Sequence, residues 1–249
     1  MEKTALIADI HGNIPALEAV LEDIKKRGIK RIFCLGDLVG KGPHPERAVD
    51  ICREVCETTV MGNWDWGITR KHDHQVILWH QARLGEERLR YLAGLPHAID
   101  FHISGRKVRL FHASQIGVNY RVLMWDPEEK HLAMFTNTDF TGNSFSPDVV
   151  GYGDIHTIYL KNMAGKVLFN AGSVGNSLDE PTAAYVIIEG NYGDTEKGNF
   201  SINAVRLPYD IELAIEQAQE ERMPELEPYA NELRTAIYRG IPDRDLAEL

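Results

Sequence analysis

Ala5-Leu6-Ile7-Ala8-Asp9-Ile10-His11-Gly12-Asn13 is an apolar run that stops at an acid and a histidine two residues apart. Residues 4–8 are too few for a helix and too apolar for an exposed strand, so they read as a buried parallel strand. The same arrangement recurs. Residues 31–35 run into Gly36-Asp37-Leu38-Val39-Gly40, and residues 58–61 into Gly62-Asn63-Trp64-Asp65. Residues 108–111 end at His112, and residues 148–152 end at Gly153-Asp154-Ile155-His156. Taken singly, each acid or Asn could be a turn or cap residue. Jointly they are better read as ligands, because turn chemistry does not call for a histidine two residues after an aspartate. Side chains at i and i+2 of an extended segment point the same way, so Asp9 with His11, and Asp154 with His156, are expected to grip together.

Asn13 is placed to cap a helix, with Pro15 in its first turn, Leu17, Val20, Leu21 and Ile24 at helical spacing, and Gly28 as its stop. Strand, helix and strand 31–35 make a crossover unit, which renders the two strands parallel and brings Asp9 and Asp37 to one sheet edge. Open α/β sheets bind ligands at that edge. A second helix over 45–56 and strand 58–61 bring Asn63 to the same place. Residues 67–100 read as a mostly helical insert carrying Arg70, Lys71, His72, His74 and His80. Residues 113–147 show no periodicity, and a loop of that length is usually functional or partly ordered. A strand over 166–169 ends in Asn170-Ala171-Gly172-Ser173-Val174-Gly175-Asn176. Strands 183–189 and 200–207 are expected to complete a second set, followed by a helical, acidic stretch from Pro208.

The 249 residues, 43% hydrophobic, suffice for one large core. No apolar run approaches the length of a membrane span. Three cysteines and an N-terminal apolar run broken by Asp9 and His11 fit a reduced, cytoplasmic setting. A formal charge of -10 argues against a broad surface that tracks nucleic-acid phosphates. Neither a stable nucleic-acid partner nor a membrane partner is expected, and the oligomeric state stays open.

Together these blocks resemble the calcineurin-like metallophosphoesterases, whose pattern is DxH, GDxxG, GNH(D/E), H and GHxH. The resemblance runs over residues 3–207 and leans towards YfcE-like phosphodiesterases and diadenosine tetraphosphatase-related proteins, chiefly through the 36–43 stretch and the 170–175 turn. It implies an α/β fold, an αββα sandwich of two mixed sheets flanked by helices. Residues 1–207 would be the phosphoesterase domain and 208–249 a helical extension packed on it. It also implies two divalent ions, manganese first, with iron, magnesium, zinc, nickel or cobalt as alternatives. One ion would take Asp9, His11 and His156, the other Asn63, His112 and Asp154, with Asp37 bridging. A water shared by the two ions would attack a small phosphorylated substrate, a nucleotide being one option, and hydrolyse a phosphodiester, phosphoanhydride or phosphomonoester. Asp37, Lys41 and His44 are the catalytic candidates, and Lys41, Asn63, Trp64 and His72 the substrate-binding ones.

This sequence departs from the family at three points. Trp64 replaces the histidine that protonates the leaving group, and Gly40 replaces the aspartate that orients it in related phosphatases. Either another group, with His44, His72 and His74 nearby, donates the proton, or the leaving group needs none. Asp154 replaces the first histidine of GHxH, and either ligates as a harder donor or leaves the metal. Lys41 is either a phosphate-grounding charge or a turn lysine. Trp64 and Trp66 either stack on a base or pack under the insert. The rival readings are a non-catalytic interaction scaffold on a degenerate fold and a protein phosphatase.

Overall fold

The computed structural model describes residues 1–239. Strand β1 (Glu2–Ile7), helix α1 (Ile14–Lys26) and strand β2 (Arg31–Cys34) form the expected crossover unit, with Ile7 opposite Cys34 in a parallel pair. Asn13 caps α1, its Oδ1 accepting from the Ala16 N–H at 3.2 Å. Helix α2 (Pro45–Val55) leads to a two-residue strand β3 (Thr58–Thr59), shorter than the 58–61 expected, parallel to β2. Two helices follow, α3 (Asn63–Ile68) and α4 (Gln75–Ala93), the latter broken at Gly85.

The second sheet is built from β4 (Ala98–Ile103), β5 (Arg106–Phe111), β6 (Val149–Tyr152), β7 (Ile158–Met163) and β8 (Lys166–Ala171), in the order β4-β5-β6-β8-β7. Between β5 and β6 lies one short helix, α5 (Glu128–Ala133), in the stretch that lacked periodicity. Strands β9 (Ala183–Gly190) and β10 (Ser201–Leu207) then correct the expectation that they complete the second sheet. They join the first, whose order is β10-β9-β1-β2-β3, with β9 antiparallel to β1. Apolarity on both faces of β9 suits an interior position in either sheet, and its backbone hydrogen bonds to β1 put it in the first. Helices α6 (Ile211–Glu220) and α7 (Leu226–Thr235) close the described chain, and the part of the expected 208–249 extension from 240 onward lies outside the described residues.

The core is layered by strand alternation. Leu6, Phe33, Leu35, Val186 and Ile188 of the first sheet meet Phe101, Ile103, Val108, Leu110 and Phe169 of the second. Ala5, Ile7, Tyr185 and Ile187 face the other way, onto Leu17, Val20, Ala48 and Val49 of α1 and α2. Val150, Tyr152 and Leu168 cover the outer face of the second sheet with Met134 and Phe135. A smaller cluster, Ala214, Ile215, Tyr229 and Leu233, joins α6 to α7. Burying each such side chain stabilises by roughly 1.5–3 kcal/mol, so β1, covered on both faces, is the least replaceable strand. Among the described residues no helix is long and apolar enough to cross a membrane.

His80 of α4 is buried with neither ring nitrogen hydrogen-bonded among the described residues. It sits edge-on to Trp64 and Trp79. Burial pulls its pKa from 6.5 down to about 4, with Arg83 assisting and Glu46 opposing. The unfolded chain therefore takes up the proton first as the pH falls. Stability attributable to His80 is complete above pH 6.5 and is lost as the pH drops towards 4, by on the order of 3 kcal/mol. Denaturant melts of wild type and His80→Leu across this window should show a shallower pH dependence in the variant. Identical pH dependence in both would contradict the assignment.

Candidate metal centre

The strand ends do not run on as extended chain. Asp9, His11, Asp37, Lys41, Asp154 and His156 all adopt left-handed backbone, with φ of 53°, 51°, 55°, 58°, 67° and 58°. Such conformations cost about 1–3 kcal/mol each and persist where surrounding contacts over-determine them. The i, i+2 pairs thus converge through tight turns, which corrects the extended-strand argument for Asp9 with His11 and Asp154 with His156. Backbone bonds hold the turns together: the Asp9 and His11 N–H groups donate to the Gly36 and Asp37 carbonyls, each at 2.9 Å. The Ser173 hydroxyl and the Gly175 N–H both donate to the Asp9 carbonyl, at 2.8 and 3.0 Å. Gly175 is there because a Cβ would lie 1.9 Å from the Ile10 carbonyl oxygen.

Each site histidine turns Nδ1 towards a backbone carbonyl: His11 to Val39 at 2.9 Å, His112 to Leu35 at 2.7 Å, His156 to Asn176 at 2.5 Å. A carbonyl only accepts, so Nδ1 carries the hydrogen in all three rings; with the ring neutral, Nε2 presents a lone pair, the tautomer that ligates metal, and His112 reaches that form when a cation displaces its second proton. Burial holds the His11 ring well below the ordinary imidazole pKa, which keeps it neutral. The Nε2 atoms of His11 and His156 lie 3.2 Å apart, and the His156 Nε2 lies 3.3 Å from Asp9 Oδ1. Two facing lone pairs call for a cation between them. The fully buried Asp9 Oδ1 has no hydrogen-bond partner among the described residues, and this too fits a metal ligand.

Asp37 spans the site. Its Oδ2 is 3.7 Å from His11 Nε2 and its Oδ1 is 3.5 Å from His112 Nε2. Asn63 Oδ1 is 3.0 Å from His112 Nε2, and Asp154 Oδ1 is 3.8 Å from it. Asp9, His11 and His156 form one group able to hold an ion, and Asp9, Asp37 and His112 another. Burial pushes the Asp37 carboxyl well above the usual range. For His112 burial acts downward, but Asp37, Asp9 and Asp154 outweigh it and raise the ring to about 9. Buried carboxyl groups this close, with Asp37 held towards its neutral form, are a crowding that a divalent cation would relieve.

Around this cluster lies a cavity of about 940 Å³. Lys41 lines it, its Nζ donating to Asn176 Oδ1 at 2.6 Å and lying 3.8 Å from the buried Glu232 of α7. Asn63 and Trp64 line it too. His44 and His72 are not among its lining residues. His44 stands at the N-cap of α2 near Glu46, and His72 is exposed with its ring on the Gly67 carbonyl. Asp154 is held bidentately by Arg121, Nε to Oδ2 and Nη2 to Oδ1, both at 2.9 Å. Sequence reasoning passed over Arg121, since nothing in the aperiodic 113–147 stretch distinguished it. It also passed over Asp65, which accepts from the Asp37, Leu38 and Gly62 N–H groups at 2.7, 3.0 and 3.0 Å. An acid three residues into a helix start was the available signal. Trp64 packs against Gly40 so closely that a Cβ there would lie 2.3 Å from its ring.

A sandwich of this topology with carboxylates and imidazoles gathered at its strand ends is the metallophosphoesterase fold. A metallophosphoesterase from Sphaerobacter thermophilus superposes with a TM-score of 0.74 at 24% identity, over 95% of this chain and 99% of that one. A hypothetical protein of Pyrococcus horikoshii gives 0.75 at 18% identity, over 97% and 100%. The calcineurin-like phosphoesterase superfamily domain matches residues 3–192, and the chain belongs to that superfamily. An uncharacterised protein of Methanocaldococcus jannaschii is 33% identical over 242 residues, spanning 89% of this chain and 93% of its own. The Escherichia coli phosphodiesterase YfcE is 32% identical over 101 residues, 36% of this chain and 55% of YfcE.

Asp65 is buried and is not among the residues lining the cavity, yet it fixes the backbone that presents Asp37. Asp65→Ala would leave three buried N–H donors unpaired, at about 1–3 kcal/mol each. The expected outcome is a stability loss of roughly 3 kcal/mol or more together with reduced metal content after supplementation. Wild-type stability and metal content in this variant would contradict the role.

Proposed function

We propose that this chain is a metal-dependent phosphoesterase that uses two divalent cations, manganese first, to hydrolyse a small phosphodiester or phosphoanhydride. The observation that carries the reading is Asp37, one oxygen directed to His11 and the other to His112. Asp9, His11, Asp37, His112 and His156 would hold the cations, which when bound would supply an activated water and offset charge on the phosphoryl oxygens. The chain's own residues do the rest. The Nδ1 bonds of His11, His112 and His156 fix ring orientation, so the ligand atoms need no reorganisation on binding. Lys41, anchored by Asn176, offers the cavity a fixed point charge for a phosphate oxygen. We place Asn63 and His112 with the second ion, and Asp154 beside it as the partner of Arg121.

Support for catalysis over a scaffold role comes from the ligand set itself, which a binding surface would have no reason to hold in strained backbone. A cytoplasmic setting, and residues 1–207 as the phosphoesterase domain with the helical segment after 207 packed against it, belong to the same proposal. Tyr209 meeting Asn13, and α6 lying on α1, favour that packing.

The leaving group follows from what the cavity lacks. His44, His72 and His74 are not among its lining residues, and the Trp64 indole N–H is too weak an acid to hand a proton to a departing alkoxide. General acid help is typically worth ~10²–10⁴-fold, so simple alkyl phosphates should turn over poorly. With manganese added, rates over a series of phosphodiesters should fall steeply as the leaving-group pKa rises, with bis(p-nitrophenyl) phosphate fast and dialkyl esters barely hydrolysed. A flat series would point to Lys41 as an acid and contradict the reading. No hydrolysis of any phosphoester would remove the function altogether.

A further inference from the structure

The cavity has two unlike halves. Its floor is Asp37, Asn63, Asp154 and His156, with Lys41 and Arg121 beside them. Its outer half carries large apolar side chains, Leu123, Met124 and Trp125 from the segment before α5 and Ile237 and Tyr238 from the segment after α7, alongside the charged Asp179, Glu225 and Arg239. Trp125 is 75% exposed, and Met124 and Tyr238 are 43% and 42% exposed. Large apolar side chains left open to water and gathered at the mouth of one cavity mark a binding surface. Tyr238 links the halves, since its ring centre lies 5.8 Å from Lys41 Nζ. Arg121 stands at the same junction. Its Nε and Nη2 are taken by Asp154, which fixes the guanidinium plane and leaves Nη1 to donate to a ligand.

We propose that this outer half is a subsite for a flat aromatic ring, so that the substrate is a phosphoric ester carrying a nucleoside or an aryl group. Trp125 and Tyr238 supply the stacking faces, and Arg121 grounds the phosphate between ring and metal centre. The inference rests on the phosphoesterase reading and deepens it by naming the substrate class. It gives the stacking role to other residues than Trp64 and Trp66, for which stacking and packing under the insert had both stood open. Trp64 is pressed against Gly40 and set edge-on to His11, while Trp66 lies under the Arg70 guanidinium at 3.8 Å. A cavity of about 940 Å³ accommodates a nucleotide-sized molecule.

The test uses phosphonates, whose P–C bond the enzyme does not cleave. Methylphosphonate and (1-naphthylmethyl)phosphonate are titrated calorimetrically into the manganese-loaded full chain. The naphthyl compound should bind about tenfold tighter or more, the scale of aromatic stacking. In the Trp125→Ala, Tyr238→Leu double variant, both sites being open to solvent, that ratio should fall to about twofold or less. The analogue of adenosine monophosphate with a methylene in place of the ester oxygen separates the two ring sources. Binding tighter than the naphthyl compound assigns a nucleoside, and weaker binding assigns a simple aryl group. Equal affinity of the first two ligands in wild type, or an unchanged ratio in the double variant, overturns this inference and leaves the phosphoesterase reading standing. Failure of every phosphonate to bind overturns this inference too, and the phosphoesterase reading is then decided by the hydrolysis series alone.

Discussion

Three imidazole Nδ1–H groups, each committed to a backbone carbonyl, are the constraint on which the rest of the site depends. The carbonyls belong to other turns than the histidines they hold. His11, after β1, is fixed by Val39 after β2, and His156, after β6, by Asn176 after β8. His112 of the second sheet is fixed by Leu35 of the first, so the two sheets must be stacked before its Nε2 points inward. Left-handed backbone at six positions is tolerated because these bonds, the Asp65 carboxylate and the 173–175 turn all act on the same few peptides. The ligand cluster is therefore a product of the sandwich and not of any single loop.

The first sheet's parallel half was legible because β1 and β2 are short apolar runs separated by a capped, periodic helix. Each of the seven candidate ligands stands at a strand end or the turn beyond it, and that placement needed only the apolar pattern before it. Edge strands were harder. β7 is largely accessible along its length, and β4 alternates Asp100 and His102 with Phe101 and Ile103, so neither offers a continuous apolar signal. β9 was visible as a strand, yet apolarity on both faces fits an interior position in either sheet, and pattern alone does not choose. Arg121 and Glu232 reach the site from segments remote in sequence, and such convergence leaves no local mark.

The three departures from the family pattern resolve into two physical couplings. Gly40 and Trp64 go together because the indole occupies the space that a side chain at position 40 would need. A side chain at position 40 would overlap the indole unless Trp64 were replaced as well, so the acid dyad's orienting half cannot be restored alone. Asp154 and Arg121 also go together. The carboxylate that stands in place of a histidine brings its own guanidinium, and the pair adds a fixed donor at the cavity wall while keeping the carboxylate 3.8 Å from His112. The chemistry at the floor and the apolar rim above it then point to one kind of ligand, anionic at one end and flat and apolar at the other.

The proposed role of Asp37 is to join two cations. Anomalous scattering at the manganese edge, from crystals of the full chain grown with manganese, tests this most directly. Two peaks ~3.5–4 Å apart are predicted, one beside Asp9, His11 and His156 and one beside His112 and Asn63, with an Asp37 oxygen on each. A single peak, or peaks away from Asp37, would contradict it.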